Sequence, residues 1–140
     1  MRLARDEALR RLSKHDHGVL STIHSERGID SVPAVFAVDD EGFLGIPIDR
    51  VKPKLSTRLQ REDNLDADPR AVLLVEQWDR DDWTRLWWVR ARLERHDGDA
   101  AREDVLAGML AARYEQYADR PFERVLLFRI TTVTGWSASG

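Results

Sequence analysis

The chain contains no cysteine, which excludes a disulfide framework, a thiolate zinc site and a thiol nucleophile and permits a reducing compartment. Lysine is scarce as well, three residues against nineteen arginines, a bias that reads first as genome composition rather than as binding. No stretch approaches the ~18 consecutive apolar residues of a membrane span. The opening "MRLARDEALRRL" has no apolar run of signal-peptide type, so the expectation is a cytoplasmic protein without membrane attachment. The formal net charge of -3 lacks the basic excess of a nucleic-acid binder. Neither a G-x-S-x-G nucleophile motif, a Walker A loop nor a dinucleotide glycine pattern occurs.

What is present suits one compact domain over residues 1–140: 42% apolar and 34% charged residues, with both signs dispersed along the chain. Leu3, Leu9 and Leu12 fall near helical spacing and predict a short amphipathic helix over residues 3–14. The pattern then changes to alternation. "GVLSTIHS", "IDSVPAVFAVD" and "GFLGIPID" read as three strands of an antiparallel meander, separated by the turns "SERG" and "DDEG", in which Gly28 and Gly42 supply positive φ. Thr57 and Gln60 have capping-box spacing and predict a helix beginning at Arg58, which must stop before the Asp68–Pro69 step. "AVLLVEQW", "RLWWVRARLERH" and "RVLLFRITTVTGW" complete six strands. Asp99 is the expected cap of a further helix whose apolar face carries Val105, Leu106, Met109 and Leu110. The sum is a mainly β protein with short helices, an antiparallel barrel.

One segment departs from the balanced charge. From Arg50 to Arg61 there are five cations (Arg50, Lys52, Lys54, Arg58 and Arg61) and no acid. Cations leading into a helix N-terminus combine backbone N–H donors, the favourable dipole end and side-chain charge, a combination that suits a phosphate. Arg58 and Arg61, three residues apart, share a helix face. The same residues also fit a solvated cationic helix paired with Glu62, Asp63 or Asp66. Pattern alone leaves both readings standing.

Four tryptophans, Trp78, Trp83, Trp87 and Trp88, crowd into eleven positions. Strand alternation sends Trp87 and Trp88 to opposite faces, so one joins the core and the other, in a segment that also holds Arg85, Arg90 and Arg92, needs cover, as at the centre of a dimer interface. His15, His17, His24 and His96 are scattered without metal-ligand spacing. Asp39/Asp40 and Asp81/Asp82 read as turn residues. With no nucleophile or acid–base pair in view, the chemistry points to a cofactor that the protein orients.

The succession "GVLST", "SVPAVFAVD", "GFLGIPID" and "VKPK…RLQREDNLDADPRAVLLVE" resembles the split β-barrel flavin and deazaflavin oxidoreductases, the pyridoxamine-5'-phosphate-oxidase-like class. "VKPK", "NLDADPR", "DDWTRLWWVR" and "VTGWSAS" are most similar to its coenzyme F420-dependent subfamily. The resemblance spans about Leu3 to Ser139. It implies a six-stranded split barrel of the FMN-binding type, homodimeric, with coenzyme F420 or alternatively FMN in a groove at the subunit interface. Lys52, Lys54, Arg58 and Arg61 would hold the cofactor phosphate, supported by Asn64. Pro33, Ile46, Pro47 and Ile48 would line the ring, and Trp87 or Trp88 with Trp136 would form the dimer seam. The implied reaction is hydride transfer from the reduced deazaflavin to a small electron-poor acceptor, with no catalytic side chain named and no metal. A non-catalytic barrel that binds a tetrapyrrole or nucleotide is the alternative of another class.

Overall fold

The computed structural model of the chain describes residues 1–49 and 59–139. Among these the chain forms, in order, α1 (Arg5–Lys14), β1 (His17–His24), β2 (Gly28–Val35), β3 (Ala37–Val38), β4 (Phe43–Asp49), α2 (Gln60–Ala67), β5 (Arg70–Gln77), β6 (Trp87–Arg95), α3 (Ala100–Arg113) and β7 (Phe122–Ser137). All pairings are antiparallel, in the spatial order β2-β1-β5-β6-β7-β4-β3. Among the described residues the sheet curls without closing by hydrogen bonds.

The strand count corrects the expectation of six. "IDSVPAVFAVD" reads as one strand because its alternation runs through, but the chain divides it at the buried Phe36. Gly28–Val35 pairs with β1 along one edge of the sheet, whereas Ala37–Val38 pairs with β4 at the other. The two expected hairpins both exist, yet they stand at opposite edges rather than in one meander. A single residue thus joins the two edges of the curled sheet, and the barrel is split there.

Alternation sorts the side chains. Leu20, Leu73, Val75, Val89, Ala91, Leu93 and Phe128 point inward with Leu44, Ile46 and Ile48 from β4, all at most 2% exposed. α1 seals one opening with Ala8 and Leu12. α3 covers the outside of β4 and β7 with Leu106 and Leu110, and packs so closely that a Cβ on Gly45 would meet Leu106 Cβ at 2.9 Å and Val125 Cγ1 at 3.0 Å. Asp99 caps α3 as expected, accepting from Arg102 N–H at 3.0 Å. Val105, expected on the apolar face of α3, is instead 52% exposed.

The tryptophans separate as alternation requires. Trp87 packs on the core beneath α1, its ring edge-on to His15 at 5.4 Å and under the Arg11 guanidinium, with Nε1 donating to Gln77 Oε1 at 3.2 Å. Burial there, followed by the charge of neighbouring His17, holds the His15 pKa below the ordinary imidazole value. The folded chain then binds this proton more weakly than the unfolded one. The associated stability is present above about pH 6.5 and is lost as the pH falls below it. Urea unfolding at about pH 7.5 and about pH 5.5 is expected to show a smaller acid loss for His15→Gln than for the natural chain; equal losses would contradict this assignment.

Candidate functional site

α2 is short and only weakly amphipathic, so what holds it is polar. Its first turn is capped by Glu62, whose Oε1 accepts from Leu59 N–H at 3.0 Å. The helix starts at Gln60 with the extended Leu59 as its N-cap, so the expected start at Arg58 is corrected by two residues; Thr57 and Arg58 themselves lie outside the described residues. Glu62 is 1% exposed, and a carboxylate so buried requires a cation. Arg124, which stands opposite Ile48 in the β4–β7 ladder, supplies it through a two-pronged pair, Nε to Oε2 and Nη2 to Oε1, both 2.6 Å. Two residues on, the buried Asn64 donates from Nδ2 to Thr22 Oγ1 on β1 and to Asp30 Oδ2 on β2, each at 2.9 Å, and accepts from Gln60 Nε2 at 3.0 Å. α2 therefore ties the β4–β7 side of the split barrel to the β1–β2 side.

Beside this tie lies a hollow of about 270 Å³ lined by Gln60, Arg61, Thr22, Arg27, Asp30 and Val32 among others. Arg27 pairs with Asp30 at 2.8 Å, and that bond, with the Asn64 donor after it, lowers the Asp30 pKa. Arg61 is thus placed at the first turn of a helix, facing a concavity. Lys52, Lys54 and Arg58 lie outside the described residues. On β4 the side chains of Ile46 and Ile48 point into the core, and Pro47 is buried on the opposite face. What these positions offer a ligand is backbone. Among the described residues β3 pairs only with Leu44 and Gly45, so the edge of β4 from Ile46 to Ile48 carries a ladder on the β7 side alone. Pro33 lies on another strand, exposed on the outward face of β2.

The outward face of β2, β1, β5, β6 and β7 carries a second set of side chains. Register aligns Pro33, Val19, Leu74, Arg90 and Thr134 in one row and Ser31, Ser21, Val72, Arg92 and Thr132 in the next. Beyond the first row stand Trp88 and Trp136, directly opposite one another. Val19, Leu74 and Trp136 are all exposed. The Arg90 guanidinium lies 5.3 Å over Trp88, with Nε shielded from water and without a hydrogen-bond partner. The sequence marked Arg90 and Arg92 together with the tryptophans as parts of an expected interface. Strand alternation beside Trp88 carried that signal.

Among the described residues, no group of three or more His, Asp or Glu side chains stands close enough to hold a metal ion, and no helix is long and apolar enough to cross a membrane.

No protein-family model and no curated protein sequence matches the chain. Solved structures do. An FMN-binding protein from Syntrophomonas wolfei is similar with a TM-score of 0.66 at 15% identity, over 95% of this chain and 88% of that one. An FAD-binding protein from Mesorhizobium loti gives 0.63 at 16% identity, over 96% and 93%. The chain has the fold of the flavin-binding split barrels. A heme storage protein from Vibrio cholerae shares it too, with a TM-score of 0.67 at 11% identity over 99% and 100%, so the fold serves more than one ligand.

The polar tie on α2 predicts its own energetics. Glu62→Ala leaves Arg124 without its buried counter-charge and Leu59 N–H without its acceptor, and is expected to lower unfolding stability by about 2–4 kcal/mol, discounted because Arg124 is partly exposed. Asn64→Ala should lose about 1–2 kcal/mol. Urea midpoints measure both, and a loss below about 0.5 kcal/mol at Glu62 would show that the tie contributes little.

Proposed function

We propose that the protein is a homodimeric oxidoreductase of the pyridoxamine-5'-phosphate-oxidase-like class, which captures a flavin-type cofactor at its subunit interface and uses it to reduce a small electron-poor organic acceptor. The observation that carries this reading is the outward sheet face, where exposed Val19, Leu74 and Trp136 surround an arginine whose Nε is dehydrated but unbonded. Burying such a face against a second copy removes apolar surface at ~25 cal/mol per Å², and a self-complementary patch is the form a two-fold interface takes. Trp88 and Trp136 make its aromatic centre.

The donor set suits a phosphate-bearing, planar cofactor. Arg61 at the leading turn of α2, with Lys52, Lys54 and Arg58 just before it in sequence, would hold the phosphate. Asn64 fixes the helix that carries Arg61. The one-sided β4 edge offers the Pro47 carbonyl as an acceptor, since Pro47 has no N–H and the Ile46 and Ile48 backbone groups turn to β7; that acceptor suits the ring N–H of an isoalloxazine or deazaflavin pyrimidine, with Pro33 on the apolar side. When bound, such a cofactor supplies two-electron hydride chemistry; the chain's part is to bind, orient and exclude water. The motifs "VKPK", "NLDADPR" and "VTGWSAS" favour coenzyme F420, and the FMN- and FAD-binding neighbours favour FMN as the alternative. The heme-storage neighbour corresponds to a non-catalytic reading, which substrate-dependent oxidation of the reduced cofactor would exclude.

Titration of the purified protein with F420 and with FMN, followed by tryptophan quenching, separates the two cofactors. Arg61→Ala is expected to weaken the bound one by about 10- to 100-fold, the worth of a charge-assisted hydrogen bond, with the fold intact by circular dichroism. Unchanged affinity would remove Arg61 from the phosphate site. Light scattering is expected to give twice the chain mass of 16.1 kDa, and Trp136→Glu to give the monomer. A natural chain that is monomeric at micromolar concentration would contradict the paired face.

A further inference from the structure

The outward face has a second end, away from the Trp88–Trp136 pair, and it is not flat. A groove of about 530 Å³ runs there, with Ile23, Ile29 and Val72 as its apolar wall and Ser21, Arg92 and Thr131 as polar groups. Ile29 is 74% exposed. The groove's shape follows from one irregularity in the ladder. Arg92 pairs with Thr132 and Leu93 with Ile130, so Thr131 is an extra residue on β7, a bulge. Bulges bend a strand and re-aim a side chain, and they gather beside binding sites. Here the bulge turns Thr131 into the groove, where its Oγ1 bonds the Arg92 carbonyl at 3.1 Å.

The charges at the groove are unequal in their commitments. Arg70 is held by Asp68 in a two-pronged pair at 2.7 and 3.0 Å, which draws the Asp68 pKa down to about 2. Glu94 faces Arg129 at 3.6 Å. Arg92 has no acidic partner among the described residues. Ser21 and Ser31 share one hydrogen bond at 2.9 Å, which leaves one hydroxyl proton of the pair to donate outward.

We propose that this groove is a second ligand site, for a small organic anion with a flat apolar body, a carboxylate or sulfonate on an aromatic or conjugated frame. Arg92 takes the anionic group, the Ser21–Ser31 pair donates beside it, and the body lies along Ile23, Ile29 and Val72. The volume falls in the range of pockets that enclose drug-sized molecules. The proposal goes beyond the oxidoreductase reading: it adds a binding site apart from the cofactor and does not rest on that reading.

The probe is anilinonaphthalene sulfonate, whose fluorescence rises on transfer to an apolar site, with the uncharged N-phenylnaphthylamine as its neutral counterpart. The full chain is expected to bind the sulfonate at one site per chain. Arg92→Gln should weaken it by about 10-fold or more while leaving the neutral probe's affinity within about twofold, and Arg70→Gln should leave both unchanged. FMN or F420 titrated in alongside should not displace the probe. An Arg92→Gln protein that binds the sulfonate like the natural chain, or loses both probes equally, would overturn the anion site. Stoichiometric displacement by the cofactor would overturn its separateness. Cofactor affinity measured on the same Arg92→Gln protein stays at the natural value if only the second site is affected, so failure of the groove and failure of the cofactor reading give different results.

Discussion

A sheet that curls without closing has two edges to reconcile, and in this chain one buried carboxylate bears much of that load. Glu62 caps its own helix and takes the Arg124 fork from β7, while Asn64, two residues along, reaches Thr22 and Asp30 on the far side. A charged group so deep in the fold costs several kcal/mol of desolvation. The cost is offset because each oxygen is bonded and because the pair fixes position rather than merely adding contact. In its place α2 satisfies both side chains at once.

That constraint determines the working geometry. Arg61 projects from the helix that Glu62 and Asn64 hold, so its guanidinium starts from a fixed base. The one-sided stretch of β4 lies in the same ladder as Arg124, with Ile48 directly opposite. The cation, the helix end and the backbone edge are thereby built on a single connection between the halves of the barrel. The outward sheet face is independent of it. There the order comes from register alone, which places Trp88 against Trp136 and Arg90 between Leu74 and Thr134.

Much of this was legible in the sequence, and what was not has a physical cause. Alternation gave the strands, the opposite senses of Trp87 and Trp88, and the Asp99 cap, since these depend on neighbours within a few residues. The division at Phe36 was hidden because alternation continues unbroken across it; only the pairing partners differ. The Glu62–Arg124 pair joins residues far apart in the chain, and no local period encodes it. Thr131 went unnoticed for another reason, and Arg92 was marked only as a cation beside the tryptophans. The bulge shifts the inward set on β7 from Leu126, Phe128 and Ile130 to Val133 and Gly135, so parity counted along "RITTVTGW" assigns the threonines wrongly. Asn64 could be singled out from its motif, but its bonds to β1 and β2 emerge only in the fold.

The central claim is that the α2 turn and the β4 edge together receive the cofactor. Hydrogen–deuterium exchange of the protein with and without its bound cofactor tests it most directly. The account predicts slowed exchange at the backbone amides around Ile46–Ile48 and at the first turn of α2, with α3 unchanged. Slowing confined to other elements, with those amides exchanging at their original rates, would contradict it.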